Sequence, residues 1–478
     1  MPSVNKKSLR EELDSLKETF NEQMASGMIS KDTQVLFKAL MGLMEIMLAV
    51  FMEKTTRKTK DNSSIPSSQT GEDESTPPKP GTKGKGPGQN EERAANTRTV
   101  KTIEILKVSE CKHCGEDLSH TACESYERRT LIDIIFEKHE NHKDAEIKIC
   151  PKCKKETKAT FPSTHHGPIQ YGMGVKAYVL SLLVAQMVAL GRIQKMVKAL
   201  IGIVVSEATI LKYVLQLHDA LEAWEQSAIK ELLNMPTLHV DETSMRINKK
   251  NHWVHVCSGG DITLKLVHPK RGKEAIEDIN IIPRYGGVII HDCWKSYESY
   301  GNCRHGLCGS HLLRELTFIV DSNGYRWASN MKNLLQETCR EVSKREERAL
   351  REKEYLDLQK RYRNILTRGA KELPPIPEKQ EGKRGRVAKS DAHNLWERLQ
   401  QHEAAVLLFA REAHVPFTNN RAERDLRMSK VKQKVSGCFR VEKYAQAYCR
   451  ISSYLQTMSA KGYNPLVAIQ FAFAGKVA

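Results

Sequence analysis

Hydrophobic and polar positions alternate along residues 236–247, which predicts a strand with one apolar face and one face carrying Asp241. A second run, residues 287–292, is apolar until it ends on Asp292, as is typical of a buried central strand. Far downstream, the pattern predicts a helix that carries Glu423 and then a series of basic residues. Three carboxylates beside positive charge indicate metal-assisted chemistry on a polyanion.

Short alternating runs around the two aspartate strands complete a predicted α/β layer. The pattern predicts strands at residues 252–258, 262–267 and 305–308, a helix at 272–279 and a helical turn at 294–300. Three antiparallel strands, a crossover helix and a further strand give the order expected of a ribonuclease-H-like domain, so the two aspartates should meet near the ends of adjacent strands. The interval before Glu423 exceeds what this layer needs, which predicts a charged helical insertion over residues 321–410.

Two helices are predicted at the beginning of the chain. The first has the spacing of a short coiled coil behind a capping-box pattern formed by Ser8 and Glu11. Its spaced apolar residues are Leu9, Leu13, Leu16 and Phe20. The second, about residues 32–54, is apolar nearly all round and requires burial. Two outcomes are open: self-association into a homo-oligomer, or a helical hairpin packed on its own protein.

Composition and charge indicate which class of molecule this protein binds and where it acts. The 478 residues carry a formal net charge of +17, which favours nucleic acid over an acidic small molecule, although a basic protein without such a partner has the same signature. Residues 1–7 lack the apolar core of a signal peptide, and the apolar stretch 35–52 is broken by Lys38 and Glu45. We therefore expect a cytoplasmic protein that does not act at a membrane.

Residues 55–99 are too rich in Pro, Gly, Ser and Lys to bury a core, which predicts a flexible basic linker. Two Cys-x-x-Cys turns follow this linker, well separated from each other in the sequence. Each turn can present two sulfurs to one tetrahedral ion, so together they predict a structural Zn²⁺ site in residues 100–170. The ligands are Cys111, Cys114, Cys150 and Cys153. The alternative, four unrelated thiols, requires two independent coincidences of spacing. Other potential ligands nearby have no such pattern and are expected to be bystanders: His113, Cys123, His139 and His142.

Residues 171–233 are predicted to be helical. An apolar helix at 176–190 precedes a helix at 192–200, a turn at Gly202 and a further helix capped by Ser206, which is the outline of a helix-turn-helix. An ordinary helical hairpin has the same outline. The pattern therefore leaves both DNA binding and plain packing open.

Each of the three acids could also be present for a structural reason instead of a catalytic one. Asp241 can be a strand-end residue, while its neighbour Glu242 should point to the opposite face and is not chosen for the site. Asp292 can cap the helical turn that follows it. Glu423 stands in an Asn-x-x-Glu pattern that is also a capping-box variant, so spacing alone leaves its role open.

Four sequence blocks resemble those of one protein family, the transposases of bacterial insertion sequence family 66. The blocks are His239-Val-Asp-Glu-Thr243, His291-Asp-Cys-Trp-Lys-Ser-Tyr297, Cys308-Gly-Ser-His-Leu-Leu-Arg-Glu315 and Asn419-Asn-Arg-Ala-Glu-Arg-Asp-Leu-Arg427. They occur in the family's order, and the resemblance extends from the paired Cys-x-x-Cys turns to the C-terminus. The residue after the second aspartate, often glycine in the family, is Cys293 here. The N-terminal helices resemble the family's leucine zipper only loosely.

The resemblance implies a DDE transposase with a multidomain α+β fold, in which a helical insertion interrupts a ribonuclease-H-like core. Asp241, Asp292 and Glu423 would form a triad holding two Mg²⁺ (or Mn²⁺) ions, and His311, in the Cys308-x-x-His311 pair, would support catalysis. This site would cut DNA at the inverted-repeat ends of the element and join them to target DNA in the bacterial nucleoid, with accessory proteins of the element as further partners. Phosphate contacts are expected from Arg424, Arg427, Lys430 and Lys432.

The predicted segments are helices at 1–54, the linker at 55–99, a zinc-binding domain at 100–170, helices at 171–233, the first part of the catalytic core at 234–320, the insertion at 321–410, and completion of the core with C-terminal helices at 411–478. Two other functions stay open: a zinc-containing DNA-binding regulator without catalysis, and a ribonuclease-H-type nuclease without strand transfer. An intact acid set argues against the regulator, and cutting confined to the element's ends would argue against the nuclease.

Overall fold

A computed structural model describes residues 6–25, 31–56, 62, 103–132, 134, 136–162, 165, 167–376 and 389–476. Nearly all of the predicted linker lies outside the described residues, as do residues 381–386, where the sequence predicts a basic loop. The chain forms two compact units. The first takes in the described residues of Met1–Gly86, Glu225–Gln433 and Cys438–Glu442, and the second those of Pro87–Trp224, Lys434–Gly437 and Lys443–Ala478.

The fold is of the α+β type, with a central mixed sheet and many helices. The helices are α1 (Lys6–Ala25), α2 (Lys31–Thr55), α3 (Met173–Leu180), α4 (Leu190–Ile201), α5 (Glu207–Ala220), α6 (Glu222–Leu233), α7 (Lys273–Ile279), α8 (Lys295–Glu298), α9 (Gly309–Asn323), α10 (Arg326–Lys344), α11 (Glu352–Glu372), α12 (Asp391–Gln401), α13 (Glu403–Arg411), α14 (Asn420–Ser436), α15 (Glu442–Ala460) and α16 (Pro465–Phe473). The strands are β1 (Ile147–Ile149), β2 (Glu156–Lys158), β3 (Thr237–Ile247), β4 (Lys250–Gly259), β5 (Ile262–His268), β6 (Val288–His291) and β7 (Arg304–Leu307).

The first unit is built on a five-stranded sheet in the order β5-β4-β3-β6-β7. Strands β3, β4 and β5 are antiparallel neighbours, whereas β6 and β7 run parallel to β3. Each strand predicted for this layer is present to within two residues. The strands that deliver Asp241 and Asp292 are adjacent, as predicted, but Asp241 does not stand at a strand end. It lies in the middle of β3, because β3 continues to Ile247 in its pairing with β4.

Helices α9 to α13 form a second layer. Helices α10 to α13 occupy the range predicted for the insertion, whereas α9 begins in the range predicted for the first part of the core. Their buried side chains pack around Trp327 and Tyr362 and join the sheet core through Val288 and Ile290. Burial of each such large apolar side chain contributes roughly 1.5–3 kcal/mol. A Cβ on Gly369 would lie 2.8 Å from the Trp327 ring, so glycine is what lets α11 approach α10 here.

The N-terminal helices α1 and α2 form a hairpin that packs on the same chain. Phe20 and Phe37 stack with ring centroids 4.1 Å apart. The Glu53 carboxylate accepts hydrogen bonds from the backbone N–H groups of Asp391 and Ala392, at 2.9 and 3.0 Å, and so caps the N-terminus of α12. The capping box predicted at Ser8 is not at the helix start, because α1 already begins at Lys6.

Helix α2 nevertheless keeps an exposed apolar surface. Its exposed members include Val35, Leu36, Leu40, Leu43 and Met47. Residues Thr33–Lys54 are long and apolar enough to span a membrane by length and composition, a property shared by core helices and signal sequences. The predicted self-association stays a prediction.

In the second unit, the apolar helix predicted at 176–190 is interrupted. Helix α3 ends at Leu180, a π-helical turn covers Ser181–Ala185, and Met187 adopts a left-handed φ of 56° before α4 begins. The predicted cap is confirmed, since the Ser206 side chain accepts from the Thr209 N–H at 3.1 Å. Whether α4 and α5 serve as a helix-turn-helix stays a prediction.

Candidate active site

Asp241 lies within β3, and Asp292 directly follows the neighbouring strand β6. The parallel pairing of the two strands ends with His239 beside Ile290, so each aspartate stands two residues beyond that last pair. Burial raises the pKa of Asp241 well above its usual range, and the charges of Glu242, Asp292 and Glu423 raise it further. Burial likewise raises the pKa of Asp292. Glu423, although it comes from a distant segment, is close enough to Asp241 for its charge to act on that carboxylate.

Asn419, just before α14, fixes the position of that helix against β3. Its side chain is 1% exposed, and its amide donates to the Val240 carbonyl at 2.8 Å. Its side-chain oxygen lies 3.0 Å from His239 Nδ1, and its backbone N–H donates to Cys308 Sγ at 3.1 Å. Sequence reasoning did not single out Asn419, although it begins one of the four family-like blocks. Three contacts of this residue set where Glu423 enters the site.

A second set of contacts ties α14 to the neighbouring strands β4 and β5. Asp425 is buried and accepts hydrogen bonds from Ser258 Oγ at 2.7 Å and Thr263 Oγ1 at 3.0 Å. Arg421 donates to the Ile262 carbonyl at 3.0 Å. Because Ser258 pairs with His239 across the β3–β4 ladder, these contacts lie on the face that carries Asp241.

The Glu423 carboxylate is directed toward α9. Its Oε1 lies 3.5 Å from His311 Nδ1 and 4.0 Å from the Arg314 guanidinium. The ligand atoms of Cys308, His311 and Glu423 all lie within 4.8 Å of one another. Burial, with the charge of Arg314, lowers the pKa of His311 to about 4, so this imidazole is neutral at pH 7. The structure thus places His311 directly beside Glu423.

Glu242 occupies the opposite face of β3, as predicted. It is buried and accepts hydrogen bonds from Arg271 Nε and Tyr297 Oη, both at 2.7 Å. The Arg271 guanidinium lies over the rings of Trp253 and Trp294, with centroids at 4.8 and 4.4 Å, and its charge partly offsets the raised pKa of Asp292. No pattern in the sequence around Arg271 could have identified this role.

The residue after the second aspartate makes a turn that favours glycine. Cys293 has a φ of 67°, in the left-handed region that residues with a Cβ rarely adopt. This conformation gives a physical reason for the glycine that is frequent at this position in the resembling family. Asp292 itself accepts a hydrogen bond from the Trp294 backbone, which partly offsets the rise in its pKa that burial causes.

Four basic residues of α14 were predicted to contact DNA, and their surroundings differ. Lys430 is half-buried, and burial lowers its pKa; the nearby Asp241 charge partly offsets this shift. Arg424 and Arg427 are exposed. Lys432 is 9% exposed, and burial lowers its pKa. Its predicted phosphate contact stays a prediction.

The two Cys-x-x-Cys turns adopt matching backbone hydrogen bonds. At the first, Cys111 N–H donates to Glu116 and Gly115 N–H donates to Cys111; at the second, Cys150 N–H donates to Lys155 and Lys154 N–H donates to Cys150. In both turns backbone N–H groups that point at the first sulfur lower its pKa. Among the described residues, the groups of potential ligands that lie within 4.8 Å of one another do not include these cysteines. Each turn is formed, and the shared zinc site stays a prediction.

Comparison with protein families gives one match. A family described as "Transposase IS66 family" matches residues 168–447, more than half of the chain. The matched range contains β3 to β7, the insertion and α14. No curated protein matches the chain.

Proposed function

Because the chain belongs to the IS66 family of transposases, we propose that it is a DDE transposase that cuts and joins DNA with Asp241, Asp292 and Glu423. The observation that supports the proposal is that each aspartate stands two residues beyond the last paired residues of β3 and β6, with Glu423 close enough for its charge to act on Asp241. The sheet order β5-β4-β3-β6-β7, with three antiparallel strands followed by two parallel ones, is the order expected of a ribonuclease-H-like domain.

The three acids fit a hard divalent cation such as Mg²⁺. Their donors are carboxylate oxygens, which Mg²⁺ and Mn²⁺ prefer over nitrogen or sulfur. Burial raises the pKa of Asp241 most, repulsion from the neighbouring carboxylates raises it further, and a nearby cation would relieve that repulsion. Two ions held by such a set would polarise the phosphodiester and activate the attacking oxygen when bound.

The protein's own residues have distinct tasks in this proposal. Asp241 and Asp292 hold the cations from a rigid sheet, whereas Glu423 does so from a helix that Asn419 and Asp425 fix to that sheet. The neutral His311 orients Glu423 as a positioning residue. It cannot compete with the cations by its own charge, because its pKa is about 4.

Positive charge on α14 is proposed to hold the DNA backbone. Lys430 lies near Asp241 and would contact a phosphate beside the scissile bond, while Arg424 and Arg427 would contact phosphates farther along. The formal net charge of +17 supports a polyanionic partner. The α4–α5 pair is proposed as a further DNA-binding element.

The decisive experiment incubates the purified chain and Mg²⁺ with DNA that carries the ends of its element. We expect nicks at those ends and, with target DNA present, joined products. Asp241→Asn should give neither. Cuts scattered over unrelated DNA would favour the nuclease, and binding without any cut by the wild-type chain would favour the regulator.

A further inference from the structure

A second group of potential metal ligands lies behind the candidate active site, formed by Cys293, Glu298 and His402. Cys293 Sγ lies 3.2 Å from Glu298 Oε1, and His402 Nε2 lies 3.5 Å from the same oxygen. All three ligand atoms lie within 4.8 Å of one another. The three residues come from the turn after Asp292, from α8 and from the α12–α13 junction. This group shares no residue with the three acids.

These separations are those of ligands around one small ion. In a tetrahedral zinc site, with bonds of about 2.0–2.3 Å, neighbouring ligand atoms stand roughly 3.4–3.6 Å apart. The donors are one sulfur, one imidazole nitrogen and one carboxylate oxygen, a set suited to Zn²⁺ or Co²⁺ and poorly suited to Mg²⁺. We propose that Cys293, Glu298 and His402 bind a transition-metal ion of the Zn²⁺ class, distinct from the cations at the acids.

The surroundings leave room for a fourth ligand. A cavity of about 310 Å³ is lined by Glu298 and His402, with His291 and His305 on its wall. A water molecule in this cavity can complete the coordination. His291 and His305 are engaged with each other at 2.9 Å between Nε2 and Nδ1. Two cations lie close by: Arg304, which lines the cavity, is paired with Glu412, and Arg398, whose charge acts on Cys293, is paired with Glu315.

Such an ion would fix the backbone beside Asp292. Cys293 already holds a left-handed φ of 67°, a conformation that costs free energy without glycine. A bond from Cys293 to an ion that also binds His402 ties this turn to the insertion. The ion would therefore position Asp292 without touching DNA.

The test uses the full-length chain dialysed against Zn²⁺ and then freed of loose metal. We expect Cys293→Ser and His402→Gln each to hold one zinc fewer per chain than the wild type. Zn²⁺ should raise the Tm of the wild type more than that of either variant. Substituted Co²⁺ should show a thiolate charge-transfer band that weakens in Cys293→Ser. Mg²⁺ should not displace the ion.

Matched controls exclude general effects of the substitutions. Cys438→Ser removes an exposed thiol outside the group, and His414→Gln removes a histidine 3.3 Å from Glu412 without a nearby sulfur ligand. Both should keep the wild-type zinc content. Equal zinc content in the wild type, Cys293→Ser and His402→Gln would overturn the proposal. If Cys293→Ser does not fold, His402→Gln decides the question by the same measurements.

Discussion

At the scale of single residues, the candidate site depends on side chains that hold the acids as much as on the acids themselves. Asn419 contacts β3 and Cys308 at once, and Arg271 stands between the buried Glu242 and the turn at Asp292. These contacts explain why one helix and two strands can share one electrostatic environment. Substitutions at the acids and at Lys430 should therefore have separable effects.

Glu423→Gln is expected to abolish cleavage of element ends while leaving end binding within about twofold of the wild type. The change removes a cation ligand of the proposed site and no phosphate contact. Cleavage assays in Mg²⁺ and binding titrations measure the two effects. The exposed Glu346→Gln serves as the matched control and should cut normally. Cutting by Glu423→Gln would remove Glu423 from the triad.

Lys430→Ala is expected to weaken binding to element ends and unrelated DNA alike. Loss of one phosphate contact lowers the slope of log K against log salt by about one unit. Binding titrations over a range of salt concentrations give this slope. Lys360→Ala removes an exposed charge from α11 and should leave the slope unchanged. An unchanged slope in Lys430→Ala would exclude the phosphate contact but not the triad.

At the scale of elements, two of the family-like blocks lie where two helices begin close to each other. The start of α9 contacts the segment before α14, where Gly309 N–H donates to the Phe417 carbonyl at 2.7 Å. The segment with the two Cys-x-x-Cys turns presents a different case. Its strands β1 and β2 are short and exposed, so they cannot build a core without a further source of stability.

Gly309→Ala is expected to destabilise the fold by about 1–3 kcal/mol. A Cβ at this position would lie 2.2 Å from the Phe417 ring, so α9 and the entry to α14 would have to separate. Chemical denaturation measures the free energy of unfolding. Gly301→Ala is the matched control, because nothing lies within 4 Å of its added Cβ. Equal stability of the two variants would show that the ring moves aside freely.

Cys150→Ser is expected to remove one zinc per chain and to unfold residues 103–162 locally. A shared zinc site stabilises such a segment by roughly 10–16 kcal/mol at pH 7, and the segment has little apolar core of its own. Metal analysis and limited proteolysis report the two effects. Cys123→Ser, outside the paired turns, should change neither. Unchanged zinc content and protease resistance in Cys150→Ser would rule out the shared site.

At the scale of the whole molecule, the α1–α2 hairpin both packs on its own chain and leaves apolar side chains exposed. Glu53 anchors α2 to α12, so the hairpin packs on its own protein, which is one of the two outcomes that the sequence left open. The exposed stripe of α2 leaves the second outcome, association of copies, available to experiment.

A chain that begins near residue 100 is expected to form a smaller assembly than the full-length protein. Sedimentation at matched concentrations measures both masses. A point variant sharpens the test: Leu43→Glu places a charge in the exposed stripe and should reduce the assembly, whereas Lys38→Glu changes an exposed polar position and should not. Equal masses for the truncated and full-length chains would exclude self-association through these helices.

The sequence alone determined the elements and the family. Alternation of apolar and polar residues is a local property, so it predicted β3 to β7 to within two residues and placed Glu242 on the opposite face from Asp241. The Ser206 cap is likewise encoded by neighbours in the chain. The four family-like blocks identified the three acids before any geometry was known, although their catalytic role stays a proposal.

Only the tertiary structure decided which distant residues meet. Asn419 with Val240, Arg271 with Glu242, and Cys293 with His402 are each separated by many residues, and no periodicity relates such pairs. Burial of Lys432 was equally unpredictable, because exposure depends on what packs over a side chain and not on its own identity. Local patterns specify strands and helices, whereas side-chain contacts between distant segments arise only when those elements pack.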